Sequence, residues 1–249
     1  MFEYIRFAVV ILAMVLATTA LLARAGIGLG ALPLVAILRA GVQLAAITLL
    51  LRGVESVPWT AALFVVLMLS TASFTTARRA AALPLGARAG VAGTVCGALL
   101  SLAVILGTGL VDLEAQSVIA VAGIVIGGCM TASTMALRHY LMNVRAQCGE
   151  VEGWLALGAR PRKSTQTARR MAVREALIPN LDQTKSTGLV TLPGAFVGAL
   201  FGGAPALEAA QFQLVVLAGL ALGGTVTALV ATYIAAGSSR LPLDEQASS

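Results

Sequence analysis

In so apolar a chain, the few charged and hydrogen-bonding side chains inside or beside hydrophobic runs are the groups that could do chemistry. Arg39 and Gln43 lie four residues apart within the run Leu32–Leu51, so on a helix they share one face. A guanidinium in such a place is costly to bury. It marks either a polar path for a solute or a side chain that snorkels to the membrane rim, and both readings stay open. Asp182, Gln183 and Lys185 stand just ahead of another apolar run. The i, i+3 spacing of Asp182 and Lys185 favours a structural clasp; contact with a solute at the mouth of a pathway is the other reading. Inside that run, Leu192-Pro193-Gly194 interrupts the helical pattern, because proline lacks an amide donor. A broken membrane helix is tolerated where it lines a cavity or packs on protein, so the break is a gate, a site, or a fixed kink.

Other reactive groups point to packing. The single histidine, His139, sits between Arg138 and Tyr140, a composition suited to a membrane interface. Met130, Met135 and Met142 could bind a soft metal, but methionine in apolar helices mostly fills space. Cys96, Cys129 and Cys148 form no CxxC pair, which indicates neither a disulfide framework nor a zinc site. The sequence shows no obvious metal-ligand cluster, so metal ligands are unknown. No G-x-x-x-x-G-K-[ST] run is present, so the chain does not cradle ATP itself. HExxH and GxSxG are missing too. No catalytic residue and no cofactor of its own is expected, and energised transport would draw on a gradient or a partner.

The elements that position these groups follow from composition. Of 249 residues, 58% are hydrophobic and 11% charged, against about 25% charged in soluble domains. Long continuous apolar runs fit membrane helices of about 20 residues and not the alternating strands of a barrel. The fold expected is all-α, a polytopic transmembrane bundle of about seven spans. These cover about 4–22, 32–51, 58–76, 89–111, 117–137, 187–203 and 212–236. The start MFEYIR lacks the basic region of a cleaved signal peptide, so the first run is expected to be retained. The tail GSSRLPLDEQASS is expected to be mobile.

The net charge of +6 is concentrated in particular connectors, and aromatics are only 5%, which argues against a nucleic-acid surface. Arg78, Arg79 and Arg88 follow span three without an acid. A long segment holds Arg145, Arg160, Arg162, Lys163, Arg169, Arg170, Arg174 and Lys185. The opposite connectors carry Arg52 with Glu55, Asp112 with Glu114, and Glu208. The positive-inside rule then puts the N-terminus outside and the C-terminus in the cytoplasm of an inner (plasma) membrane protein. Gly93/Gly97, Gly123/Gly127, Gly198/Gly202 and Gly219/Gly223 are four apart and suit close helix packing, a dimer seam included. In the basic segment, Glu152 and Gly158 bracket a turn. Beyond it, Ala168, Met171, Ala172 and Leu177 alternate with Arg169, Arg170 and Arg174. Such a helix suits a lipid surface or a groove on a cytoplasmic partner, with the turn tipping the balance to docking.

One stretch carries a resemblance. Leu155-Ala156-Leu157-Gly158-Ala159 is followed by Ala176-Leu177-Ile178-Pro179, then by Asp182-x-x-Lys185-x-x-Gly188-Leu189-Val190-Thr191-Leu192-Pro193-Gly194, with Gly198 and Ala209–Leu214 beyond. Upstream stand Arg39-Ala-Gly-Val-Gln43-Leu44 and Ala122-Gly123-Ile124-Val125-Ile126-Gly127. Together these resemble the FetB-type permeases, a bacterial iron-export ABC permease family that includes the plant aluminium-sensitive proteins. The chain departs from that pattern in having Ala120 near a usual proline and Gly128 at a usual asparagine. The resemblance implies a homodimeric exporter permease that works with two copies of a cytoplasmic ABC ATPase, which holds the ATP and Mg. It implies iron or another metal as cargo; plant relatives bring in sugar nucleotides or other organic solutes.

The resulting expectation has spans one to five in 1–142, a cytoplasmic coupling segment in 143–186, spans six and seven in 187–236 and a tail in 237–249. Arg39, Gln43, Asp182, Lys185, Pro193 and Gly194 are the pathway candidates. Glu152, Gly158, Arg160, Arg169 and Arg170 are the coupling candidates. A gradient-driven carrier is disfavoured by the lack of a carboxylate inside any span. A membrane adaptor that moves nothing is the alternative from another class.

Overall fold

The computed structural model describes residues 2–51 and 59–238. The connector charges Arg52 and Glu55 and the tail from residue 239 on lie outside the described residues. The chain divides into two compact units, Met1–Val57 and Pro58–Ser249.

The first unit is a helical hairpin of α1 (Phe2–Arg24) and α2 (Leu32–Leu51). Its turn needs Gly26 and Gly30, whose φ angles of 70° and 52° are strained for residues with a side chain. Side chains such as Phe7, Met14 and Val42 are more than 60% exposed, the inverse of a water-soluble helix and the surface a bilayer covers.

The second unit is built on α3 (Trp59–Arg79), α4 (Gly86–Gly107), α5 (Ala115–Ala146) and α10 (Ala206–Ala235), with α8 (Gln166–Ser186) packed on α5 and α10. The short helices α6 (Cys148–Ala156) and α7 (Pro161–Ser164) lead into α8, and α9 (Gly194–Phe201) precedes α10. Apart from one isolated bridge, Thr187 to Thr191, the described residues form no β-structure.

Small residues let the helices meet. A Cβ on Gly97 would run into Thr227 and the Gly223 carbonyl of α10, and one on Gly93 would come within 2.8 Å of the Thr227 carbonyl. Ser101 Oγ donates to the Gly219 carbonyl at 2.8 Å, an interhelical bond worth about 0.6 kcal/mol in a membrane. Two of the glycine pairs, Gly93/Gly97 and Gly219/Gly223, therefore serve packing within the chain, while Gly127 and Gly198 face open space. Gly128 backs onto Leu220, so the position occupied by asparagine in the family pattern lies on a packed face here. Cys129 is buried in the core with Val121, Val125 and Val216 beside it, and Met130 packs against that cluster. Several hydroxyls within the apolar helices are satisfied locally: Ser70, Thr131 and Thr225 each donate to the carbonyl four residues back.

Five helices are long and apolar enough to cross a membrane, and Leu32–Thr48 adds a shorter apolar stretch. The remaining span differs from a simple helix. Residues 187–193 form a non-helical loop and α9 has eight residues, rising about 12 Å against a hydrocarbon core of about 30 Å. α8 precedes that loop. Glu175 bonds His139 at 3.0 Å and Asn143 at 3.2 Å, just beyond the apolar part of α5. From Glu175 to Ser186 the helix rises about 16 Å along the bundle, roughly half the hydrocarbon thickness. Within the expected segment 143–186, α8 packs on α10, with Leu177 and Asn180 within 4 Å of a Cβ position at Gly224. Pro179 interrupts α8 and frees the Glu175 carbonyl from its usual partner.

Candidate functional site

The non-helical stretch between α8 and α9 leaves backbone and polar side chains open. On α8, Ala168, Ala172 and Ala176 are buried and fix the helix to α5 and α10. Beyond Asn180 this changes: residues 181–185 are all exposed. Lys185 Nζ lies 3.0 Å from Asp182 Oδ1, with side-chain exposures of 77% and 60%. The spacing-based clasp therefore forms, and it forms on an open face. The loop that follows turns through Gly188, at φ 93°. It presents Leu189 at 96% and Val190 at 81% exposure.

Pro193 is extended, at φ −66° and ψ 146°, and caps α9, with Gly194 as its first residue. Proline here starts a helix and does not kink one from within, because its missing amide is one the first turn leaves unpaired anyway. Asp182, Lys185, Pro193 and Gly194 thus belong to one break. Arg39 and Gln43 are exposed on α2, four apart on one face, in the first unit.

At the arginine-rich end the coupling candidates separate into two groups. Gly158 ends α6 at φ 81°. Its amide donates to the Leu155 carbonyl at 2.9 Å, and Ala159 donates to that of Trp154 at 3.0 Å. This is a glycine-dependent helix stop. Glu152, Trp154 and Leu157 are exposed around it, as is Arg160, which precedes Pro161 at the start of α7. Arg170 is also exposed, whereas Arg169 turns inward toward Tyr233 of α10, 5.6 Å from the ring centroid. Arg162 stacks on the same ring at 4.0 Å and donates from Nη1 to Tyr233 Oη at 3.0 Å. Sequence reasoning missed Arg162, Tyr233 and Glu175. Partners 71 residues apart leave no local signal, and the only hint was one more arginine in a basic run.

The stack predicts a measurable anchor. Cation–π and charged hydrogen-bond contributions sum to about 2 kcal/mol. Tyr233→Ala is expected to speed tryptic nicking after Arg162 and Lys163 by about 10- to 30-fold, since local opening limits cleavage, and Tyr233→Phe by clearly less. Wild-type nicking rates in both variants would show that the stack holds nothing.

At the opposite end, a cleft of about 610 Å³ opens between the α4–α5 turn, α9 and the start of α10, with Asp112, Gln116, Glu208 and Gln211 on its wall. Among the described residues, no three of His, Cys, Asp and Glu gather to hold a metal ion.

A bundle with five helices long and apolar enough to cross a membrane defines a multi-pass α-helical membrane protein. Residues 5–238 match the model of the uncharacterised protein family UPF0014, and the chain belongs to that family. It is 33% identical over 211 residues to the UPF0014 membrane protein STAR2 of Oryza sativa subsp. japonica, covering 84% of this chain and 74% of that protein. It is 32% identical over 167 residues to Protein ALUMINUM SENSITIVE 3 of Arabidopsis thaliana, covering 67% and 61%. With the probable iron export permease protein FetB of Escherichia coli (strain K12) it shares 30% identity over 138 residues, 55% of this chain and 53% of the relative. No solved structure matches the chain.

Proposed function

We propose that this chain is the permease subunit of an ABC-type exporter in the inner membrane. It would work as a homodimer with two copies of a cytoplasmic ATPase that holds ATP and Mg. The observation that carries this reading is the break between α8 and α9 beside an exposed ion pair on α8. Charged side chains and free backbone at hydrocarbon depth need protein or water around them. A second copy facing this surface supplies the protein, and a pathway between the copies supplies the water. Asp182, Lys185 and the 187–193 loop would line that pathway; Arg39 and Gln43 stay the candidates of the first unit, considered by itself. The exposed corner of Glu152, Trp154, Leu157, Gly158 and Arg160, with Arg170 beside it, would meet the ATPase. Arg169 would act from inside, on Tyr233. With the N-terminus outside, this corner faces the cytoplasm.

Iron or another metal ion is the cargo favoured by the FetB-type resemblance, with Asp182 from each copy as an oxygen donor. Lys185 equally suits an anionic organic solute such as a sugar nucleotide. The position of Asp182 also revives a gradient-driven carrier. The sequence argument against one was the lack of an intramembrane carboxylate, and Asp182 would supply one in this reading.

The test is hydrolysis and flux in vesicles holding the chain alone or co-expressed with an ABC ATPase, with and without ferrous iron. Hydrolysis stimulated only in the complex, with iron dependence, is the expected result. Iron flux through the chain alone under a proton gradient would establish the carrier instead. Failure to form a complex, with no flux, would leave an adaptor.

A further inference from the structure

At the arginine-rich rim of the second unit, α3 and α5 frame a shallow depression lined by Arg79, Leu83, Thr134, Leu137, Arg138 and Leu141. Its volume of about 30 Å³ holds a water or a single phosphate oxygen but no solute. Any ligand must therefore bind across its rim. The rim carries the exposed guanidiniums of Arg79 and Arg138, and neither forms an ion pair with an acidic side chain among the described residues. The floor is apolar and rigid. The turn between α3 and α4 is closed by Leu83 N–H to the Ala80 carbonyl at 3.0 Å and Gly86 N–H to the Leu83 carbonyl at 2.8 Å. Leu85 is held there at φ 62°, and a Cβ on Gly86 would run into the Ala80 carbonyl.

We propose that this depression is a binding site for the headgroup of an anionic phospholipid. Arg79 and Arg138 would take the phosphodiester in forked hydrogen bonds across the rim, and the partly exposed Leu141 would meet the first acyl carbons. Two features favour a lipid over a free anion: the site lies where the apolar helices end, and its floor is hydrocarbon. Arginine's planar fork suits a phosphate better than a point charge does. Basic pockets between membrane helices take such headgroups, each cation contributing about fivefold in affinity near a charged surface. Orienting the chain by charge alone requires arginines in the connector and no shared apolar groove, so the role is separable from topology. Arg88, exposed in the same region but away from the depression, is the internal control.

The experiment is native mass spectrometry of the full chain in neutral detergent. It is titrated with phosphatidylglycerol, with phosphatidylcholine of the same acyl chains, and with inorganic phosphate. Phosphatidylglycerol is expected to bind at least about tenfold more tightly than phosphatidylcholine. Arg79→Gln and Arg138→Gln should each lose about fivefold, and the double variant should fall to the phosphatidylcholine level. Arg88→Gln should match wild type. The single variants read the site even where the double variant does not fold. Unchanged phosphatidylglycerol preference in the singles would overturn the proposal, as would equal losses in Arg88→Gln. Inorganic phosphate competing at the same concentration as the lipid would assign the two arginines to a free anion and overturn it too.

Discussion

Exchanging the two charges of the α8 pair, Asp182→Lys with Lys185→Asp, is expected to leave the fold intact and to lower substrate flux by about 10- to 100-fold. The two expectations have different sources. The pair is largely exposed, at 60% and 77%, and an exposed i, i+3 pair contributes about 0.5 kcal/mol or less to stability. The exchanged pair can re-form at the same spacing, so the thermal midpoint should barely move. A solute that meets a carboxylate at one position and an ammonium at another meets the wrong charge at both. Losing one hydrogen bond to a charged group costs about 1.5–3 kcal/mol, which sets the range. Full flux in the exchanged protein would reduce the pair to a clasp and remove α8 from the pathway. Asp182→Asn and Lys185→Gln, measured alongside, separate cation from anion cargo: loss of metal flux should follow Asp182, and loss of an anionic solute should follow Lys185.

The second large effect is on assembly of the bundle. Gly97→Leu is expected to destabilise the second unit by about 3 kcal/mol or more, at the upper end of overpacking costs. A side chain at 97 meets the Gly223 carbonyl and Thr227, which cannot yield without parting α4 from α10. That separation also breaks the Ser101–Gly219 bond. Gly127→Ala is the matched control: nothing lies within 4 Å of its Cβ position, so helix propensity alone should leave it neutral or up to about 1 kcal/mol more stable. Thermal unfolding in detergent, followed by Cys129 labelling, reads both, since Cys129 is buried in the core. A Gly97→Leu protein that melts like wild type would mean that α4 and α10 are not closely packed.

Most of the bundle was legible because long apolar runs have few alternatives. The membrane helices α1 to α5 and α10 follow from run length, and the Pro193 break follows from the chemistry of proline. The far half of α8 was not legible. Arg169, Arg170, Arg174, Glu175, Asp182 and Lys185 make that helix read as a connector, although Ala168, Ala172 and Ala176 bury one stripe of it. Hydropathy averages over a helix, and a helix that is polar on its open face and small-residue toward the bundle averages to a loop. The Asp182–Lys185 contact was legible from spacing. The division of labour between Arg160, exposed, and Arg169, turned toward Tyr233, depends on how α8 rolls against α10, and no short-range pattern encodes that.

Pro179 gives α8 a mechanical character. The near half is clamped by its alanine stripe and by Glu175 against His139 and Asn143. The far half carries Asp182 and Lys185 and is held by little. A missing hydrogen bond at the junction is a fulcrum. A tilt of about 10° there displaces the tip of α8, about 10 Å away, by roughly 2 Å, comparable to the bore difference between a passage that admits a hydrated ion and one that does not. Small strokes at the clamped end are thus geared up at the free end. Spin labels at Gln166 and Gln183 should report unequal amplitudes during turnover, with the larger at Gln183.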